Sequence, residues 1–177
     1  MHLDEIKKNT AFHAADYVRQ GMAVGIGSGT TVFWLIQELG RRVQQGLQIS
    51  AVPTSLQTAH LANEAGIPTL DLNQIDGLDL TIDGADEIDK LGNLIKGGGG
   101  ALLQEKIVAA ASNELIIIAD NSKLVSQLGS FPLPVEVIPF GYRQVVAGWL
   151  ASNLLGGASP LGRHTVADCS AMSASMC

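Results

Sequence analysis

Positive charge is scarce in this chain: 11 Lys and Arg stand against 17 Asp and Glu, for a formal charge of -6 and a pI near 5.0. A net acidic surface excludes nucleic acid and an anionic membrane as main partners, because both are bound by basic surfaces. An anionic small molecule is still allowed, since a few lysines gathered in one place outweigh a diffuse acidic background. Cysteine is scarce as well. Cys169 and Cys177 lie near the C-terminus with neither metal-ligand spacing nor disulfide logic, which fits a reducing compartment. His2, His13, His60 and His164 are scattered, and no His/Cys/carboxylate cluster has zinc spacing, so no metal is expected. No apolar run reaches the roughly 18 residues of a membrane span. The opening Met1-His2-Leu3-Asp4-Glu5 lacks a signal-peptide pattern, so a cytoplasmic location is expected.

What the chain does have is enough apolar material for one core: 177 residues, 46% of them hydrophobic, fit one domain with at most a small appendage. Leu3, Ile6, Thr10, Ala14, Tyr17 and Val18 recur at helical spacing and predict an opening amphipathic helix ended by Gly21. Met22 to Ile26 reads as a buried strand, followed by a glycine-rich turn and a helix from Val32 to about Arg42. Ile49 to Val52 reads as a second strand, with Thr54 or Ser55 capping a helix that runs toward Gly66. Further strands are predicted at Pro68 to Leu72, Leu78 to Ile82 and Leu115 to Ala119, with a helix at Ala101 to Ser112. Short apolar strands alternating with helices define an α/β fold, a mainly parallel, Rossmann-like sheet with helices on both faces. Ligands of such sheets bind beyond the carboxyl ends of the strands. The runs at 27–31, 83–87 and 96–100 all follow predicted strands, so the fold brings them to one rim.

Each run has a plain and a chemical reading. Lys96-Gly97-Gly98-Gly99-Gly100 followed by helix formers and Glu105 joins a bare backbone to a lysine and a carboxylate. Alone it fits a structural turn as well as an anion cradle whose N–H groups open a helix. Gly25-Ile26-Gly27-Ser28-Gly29-Thr30-Thr31 invites a dinucleotide-binding reading. However, Thr30 stands where the third glycine belongs, the acidic ribose ligand about 20 residues on is missing, and no P-loop lysine follows. What remains suits a phosphate monoester at a helix N-terminus. Asp83-Gly84-Ala85-Asp86-Glu87-Ile88-Asp89 could be a solvated acidic loop, and it lacks EF-hand spacing. Yet Asp83 ends an apolar strand, which puts its carboxylate at the rim where sugar hydroxyls are good partners. Lys7, Lys96 and Lys123 acquire a role only if they converge in space.

Taken together these runs resemble the type A ribose-5-phosphate isomerases. The resemblance rests on Lys7, on Gly-x-Gly-Ser-Gly-Thr-Thr at 25–31, and on Asp-Gly-Ala-Asp-Glu-Ile at 83–88. Lys-Gly-Gly-Gly at 96–99 with Glu105-Lys106, Ser122-Lys123, and Phe-Pro-Leu-Pro-Val-Glu-Val at 131–137 complete it. It implies interconversion of D-ribose 5-phosphate and D-ribulose 5-phosphate through an enediolate in the pentose phosphate pathway, without metal or organic cofactor, by a cytoplasmic homodimer or homotetramer. By the family's pattern Glu105 is the base. Lys96 and the N–H groups of Gly97, Gly98 and Gly99 would stabilise the oxyanion. Ser28, Gly29, Thr30 and Thr31, helped by Lys7 and Lys123, would hold the phosphate. Asp83, Gly84, Ala85 and Asp86 would hold the sugar, with Asp83 and Asp86 orienting hydroxyls and assisting ring opening. The alternative is a sugar-phosphate-binding protein without catalysis, or an inactive truncated isomerase.

The resemblance also implies domains: a catalytic α/β domain over 1–130, and the start of a small α/β lid at 131–150 that is cut short here. Beyond Val146 the motifs stop, and residues 151–177, rich in Gly, Ser and Ala with only Arg163 and Asp168 charged, read as an atypical, poorly specified tail. A shifted reading frame or a truncated gene model is the expected origin of that departure.

Overall fold

Short apolar runs bounded by glycine become parallel strands, and the amphipathic runs between them become the helices that cover the sheet. The computed structural model describes residues 2–130, 140–144 and 147. In chain order the elements are α1 (Leu3–Ala15), β1 (Ala23–Ile26), α2 (Thr30–Gln44), β2 (Ser50–Pro53), α3 (Leu56–Glu64) and β3 (Leu78–Asp83). A short hairpin of β4 (Glu87–Ile88) and β5 (Leu94–Ile95), then α4 (Leu102–Ala110) and β6 (Ser112–Ile117), follow. β2, β1, β3 and β6 form one sheet in that order, parallel throughout, with Val24 opposite both Ala51 and Leu80. β4 and β5 pair antiparallel beside it.

The core lies mainly on one face. Val32, Leu35, Ile36 and Leu39 of α2 recur at i, i+3, i+4 and i+7 and are buried against Val24, Ile26, Leu80 and Ile82. Each such aliphatic stabilises by roughly 2 kcal/mol when taken from water. Ala11, Ala14 and Ala15 give α1 a small-residue face against α2. The junction is fastened by Arg42, which donates to the Ala15 carbonyl at 2.8 Å and to Asp16 at 2.7 Å. Glu38, buried there, accepts from both Arg41 and Arg42 at 2.7–2.8 Å. On the other face Val108 of α4 packs with Val52 and Leu78 in a smaller cluster.

Three sequence expectations are corrected. Pro68 to Leu72 is no strand: Thr69 makes a single bridge to Ala51, and Leu70 and Leu72 pack under the smaller cluster instead. The helix predicted to reach Ser112 ends at Ala110, and β6 starts at once, three residues ahead of the predicted Leu115. Leu94 and Ile95, ahead of the glycine run, form β5 as expected, but their antiparallel pairing with Glu87 and Ile88 of β4 has no signal in the sequence. The run Tyr142 to Leu150 can be read as a helix from its sequence, and of it residues 142–144 and 147 are helical. The rest of it, most of the lid start at 131–150 and the tail at 151–177 lie outside the described residues. Among the described residues no helix is long and apolar enough to cross a membrane.

Candidate active site

The strand order changes direction between β1 and β3, since β2 lies to one side of β1 and β3 to the other. Such a switch point leaves a crevice at the carboxyl ends of the two strands. The turn after β1 and the acidic run after β3 both open into it. A half-open cavity of about 170 Å³ lies there. Lys7, Ser28 to Thr31, Gly84 to Asp86, Lys96, Gly97, Gly99, Glu105 and Lys123 all border it. Asp83 and Gly98, also predicted, are not part of its wall.

Asp83 lies just beneath. Its carboxylate occupies the space a side chain at position 27 would need, since a Cβ on Gly27 would overlap Asp83 Oδ1. That close approach, impossible for any other residue at 27, lets the Ser28 and Gly84 N–H groups donate to Oδ1 at 3.2 and 2.7 Å. Oδ2 accepts from Lys96 Nζ at 2.9 Å. The same ammonium donates to the Gly84 carbonyl and makes an ion pair with Glu105 Oε2 at 3.1 Å. An ammonium has three protons, and here all three directions are taken. Lys96 is thus a cation shared by two buried carboxylates. The hairpin explains how it gets there: the Asp86 N–H donates to the Ile95 carbonyl at 2.8 Å, so residues 86 and 96 are held side by side.

Glu105 sits in the first turn of α4, buried, with its pKa raised. Burial is the main cause, the negative charge of Asp83 adds to it, and Lys96 only partly opposes them. The raising effect of Asp83 was not foreseen from the sequence. The glycine loop differs from expectation as well. The Gly98 N–H donates to Asp86 Oδ2 at 2.8 Å and the Gly100 N–H returns to the Gly97 carbonyl at 3.0 Å, so these two groups do not face the cavity.

At the other end Gly29, with φ of 109°, turns the chain into α2, whose N-terminus has no side-chain cap. The first N–H groups of a 15-residue helix are then open to an anion. Lys7 Nζ from α1 donates to Thr30 Oγ1 at 2.9 Å, which fixes one cation beside them. Ser28 borders the cavity, but its hydroxyl turns toward Thr54, Ser55 and Thr58 at 3.0–3.1 Å. Sequence reasoning missed those three residues, and also Asp120. Asp120 is buried in the wall after β6, and although burial opposes ionisation, its Ser122 hydrogen bonds and the charges of Lys7 and Lys123 hold its pKa below the usual range. None of the four belongs to a run with a legible motif. Among the described residues no group of three or more His, Cys, Asp or Glu is placed to hold a metal ion.

Fold and site together define an α/β protein with a carboxylate–lysine centre and an uncapped helix N-terminus at the switch point of a parallel sheet. The family model described as Ribose 5-phosphate isomerase A (phosphoriboisomerase A) matches residues 50–168, more than half of the chain. The ribose-5-phosphate isomerase A of Bacillus mycoides is 62% identical over 139 residues, 78% of this chain and 63% of that protein. That of Cereibacter sphaeroides is 53% identical over 163 residues, 92% of this chain and 64% of that protein. A solved D-ribose-5-phosphate isomerase in complex with phospho-erythronic acid superposes with a TM-score of 0.82 at 38% identity, over 86% of this chain and 68% of that one. The chain belongs to the ribose 5-phosphate isomerase A family. It spans about 63% of the length of the Bacillus mycoides relative, and the family match runs past Val146, where the motif-level resemblance stopped.

Proposed function

We propose that the chain interconverts D-ribose 5-phosphate and D-ribulose 5-phosphate. The observation that carries this reading is the buried Glu105, paired with Lys96 and facing the same cavity as the uncapped N-terminus of α2. The phosphate sits at that N-terminus between Lys7 and Lys123, and Asp86 with Gly84 and Ala85 holds the sugar end, while Asp83 beneath them anchors Lys96. Glu105 takes the proton from C2 of the open-chain aldose as the C1 carbonyl gains the electron pair. It then returns the proton to C1 while the C2 hydroxyl proton passes to the C1 oxyanion, which leaves a hydroxyl on C1 and the ketone at C2. A positioned base of this kind contributes about 10²- to 10⁴-fold, and a raised pKa brings it nearer the working pH. The developing oxyanion draws on Lys96, which must exchange one of its present partners for it, and on the glycine loop, whose Gly98 N–H is freed when Asp86 turns to a sugar hydroxyl. The relative solved with phospho-erythronic acid, a phosphorylated sugar acid, supports a pocket for phosphate and acid groups together.

A homodimer or homotetramer in the cytoplasm belongs to the same proposal. The test is incubation with ribose 5-phosphate in D₂O, followed by NMR. Ribulose 5-phosphate and deuterium at C1 or C2 are expected. Folded protein that binds the sugar phosphate without exchange would be a binder and no isomerase, and would overturn the reading.

A further inference from the structure

The hydroxyls behind Ser28 can be assigned a direction by counting protons, since each hydroxyl has one to give. Thr58 Oγ1 donates to the Gly27 carbonyl at 2.9 Å, so it can only accept from its neighbours. Ser55 Oγ donates to Thr58 Oγ1 at 2.9 Å, and Ser28 Oγ donates to Ser55 Oγ at 3.0 Å. Thr58 Oγ1, 3.1 Å from Ser28 Oγ, can likewise only accept there, so the single Ser28 proton points toward Ser55 and Thr58, and Thr54, fully buried and 3.0 Å away, supplies the proton that Ser28 accepts. The chain runs one way, Thr54 to Ser28 to Ser55 to Thr58 to the Gly27 carbonyl. It links the N-terminal turn of α3, where Ser55 Oγ also caps by accepting the Thr58 N–H at 3.1 Å, to the turn that starts α2.

We propose that this directed hydroxyl chain sets the anion loop at 27–31, with Thr58 of α3 as a positioning residue for phosphate. The inference rests on the phosphate reading above. The Ser28 proton is committed inward and its N–H is committed to Asp83, so Ser28 acts on an anion through the shape of the turn. Thr58 ends the chain on the carbonyl of Gly27, the residue against which Asp83 is packed, and so fixes where the open N–H groups of α2 point. Thr58 itself is buried and is absent from the wall of the 170 Å³ cavity.

The test is the affinity of the full chain for inorganic phosphate by calorimetry, with deuterium exchange at saturating ribose 5-phosphate as the second readout. Thr58→Val should raise the phosphate Kd about tenfold, the effect of one lost buried hydrogen bond, and leave the saturated exchange rate unchanged. Thr58→Ser should restore the wild-type Kd. Thr54→Val removes only the first donor and should change the Kd by about twofold at most, because every later bond survives. Equal weakening by Thr54→Val and Thr58→Val, or no rescue by Thr58→Ser, would overturn the directed chain. If Thr58→Val does not fold, Ser28→Ala interrupts the chain from the loop side and should also raise the Kd about tenfold; a wild-type Kd there overturns the proposal. Wild-type protein that binds no phosphate overturns the phosphate reading itself, whereas tight binding by both wild type and Thr58→Val overturns the hydroxyl chain alone.

Discussion

Two glutamates of this chain are buried to nearly the same extent, Glu38 at 3% exposure where α1 meets α2 and Glu105 at 7% in the rim cavity, and their acidities move in opposite directions. Glu38 is held down at about 2, chiefly by the Arg41 hydrogen bond and then by Arg42, against the opposing effect of burial. Glu105 is raised by burial and by Asp83, and Lys96 fails to compensate. Surface exposure is similar, but Glu105 is the more deeply enclosed and burial is the main cause of its raised pKa, while the stoichiometry of charge acts in the same direction. At the helix junction two guanidiniums serve one buried carboxylate, and Asp16 satisfies the surplus at the surface. At the rim one ammonium serves two buried carboxylates. The first arrangement is a fastener. The second leaves a carboxylate that is costly to ionise, which is what a proton-transfer base requires.

The comparison is tested most severely at Glu105. Glu105→Gln keeps the shape and removes the proposed base, so solvent exchange into ribose 5-phosphate should fall by about 10²-fold or more. Its stability should hold or rise at neutral pH. A carboxylate whose folded pKa is raised stabilises the fold below its unfolded pKa, and that contribution is lost as pH rises through the folded value. Thermal melts at pH 5 and pH 8 measure this, and a variant markedly less stable than wild type at pH 8 would refute the assignment of strain to Glu105.

Lys96→Met leaves Asp83 and Glu105 facing each other without a cation. Urea unfolding at pH 7 should show a loss of about 3 kcal/mol, and residual exchange activity should have its acid limb moved to higher pH. An unmoved limb would mean that Lys96 does not act on Glu105.

Glu38→Gln should have the opposite pH signature to Glu105→Gln. Because the folded pKa lies below the ordinary 4.5, Glu38 contributes stability above pH 4.5 that disappears as pH falls toward about 2. The variant should be less stable than wild type at pH 7 by on the order of 2 kcal/mol, less than full linkage because Arg41 is half exposed, and the two proteins should converge near pH 2. Arg41→Met should cost least at pH 7, since Arg42 still holds Glu38. Its acid unfolding midpoint should move up.

Much of this site was legible because its residues fall in runs that end strands. Gly27 to Thr31, Asp83 to Asp86 and Lys96 to Gly99 could be placed on one rim from strand–helix alternation alone, and the sheet puts them at the β1–β3 switch point. The structural reason for Gly27 was not legible, because it is the side chain of a residue 56 positions away. Thr54 and Ser55 are legible only as a helix start, which Ser55 is, and Thr58 only as part of the helix that follows. Their second task depends on α3 meeting the turn before α2, a tertiary contact with no local pattern. Strand errors have a similar origin. Two-residue strands such as β4 and β5 are too short to show a period, and the apolar Leu70 and Leu72 match a buried strand as well as they match the loop packing they adopt.

The shared space between Gly27 and Asp83 also bears on how such a sequence can drift. Any side chain at 27 displaces the carboxylate that anchors Lys96, and shortening Asp83 to make room removes the anchor itself. A single change at either position therefore disturbs the Asp83–Lys96 contact, so the two positions are coupled and a substitution at one calls for a compensating one at the other.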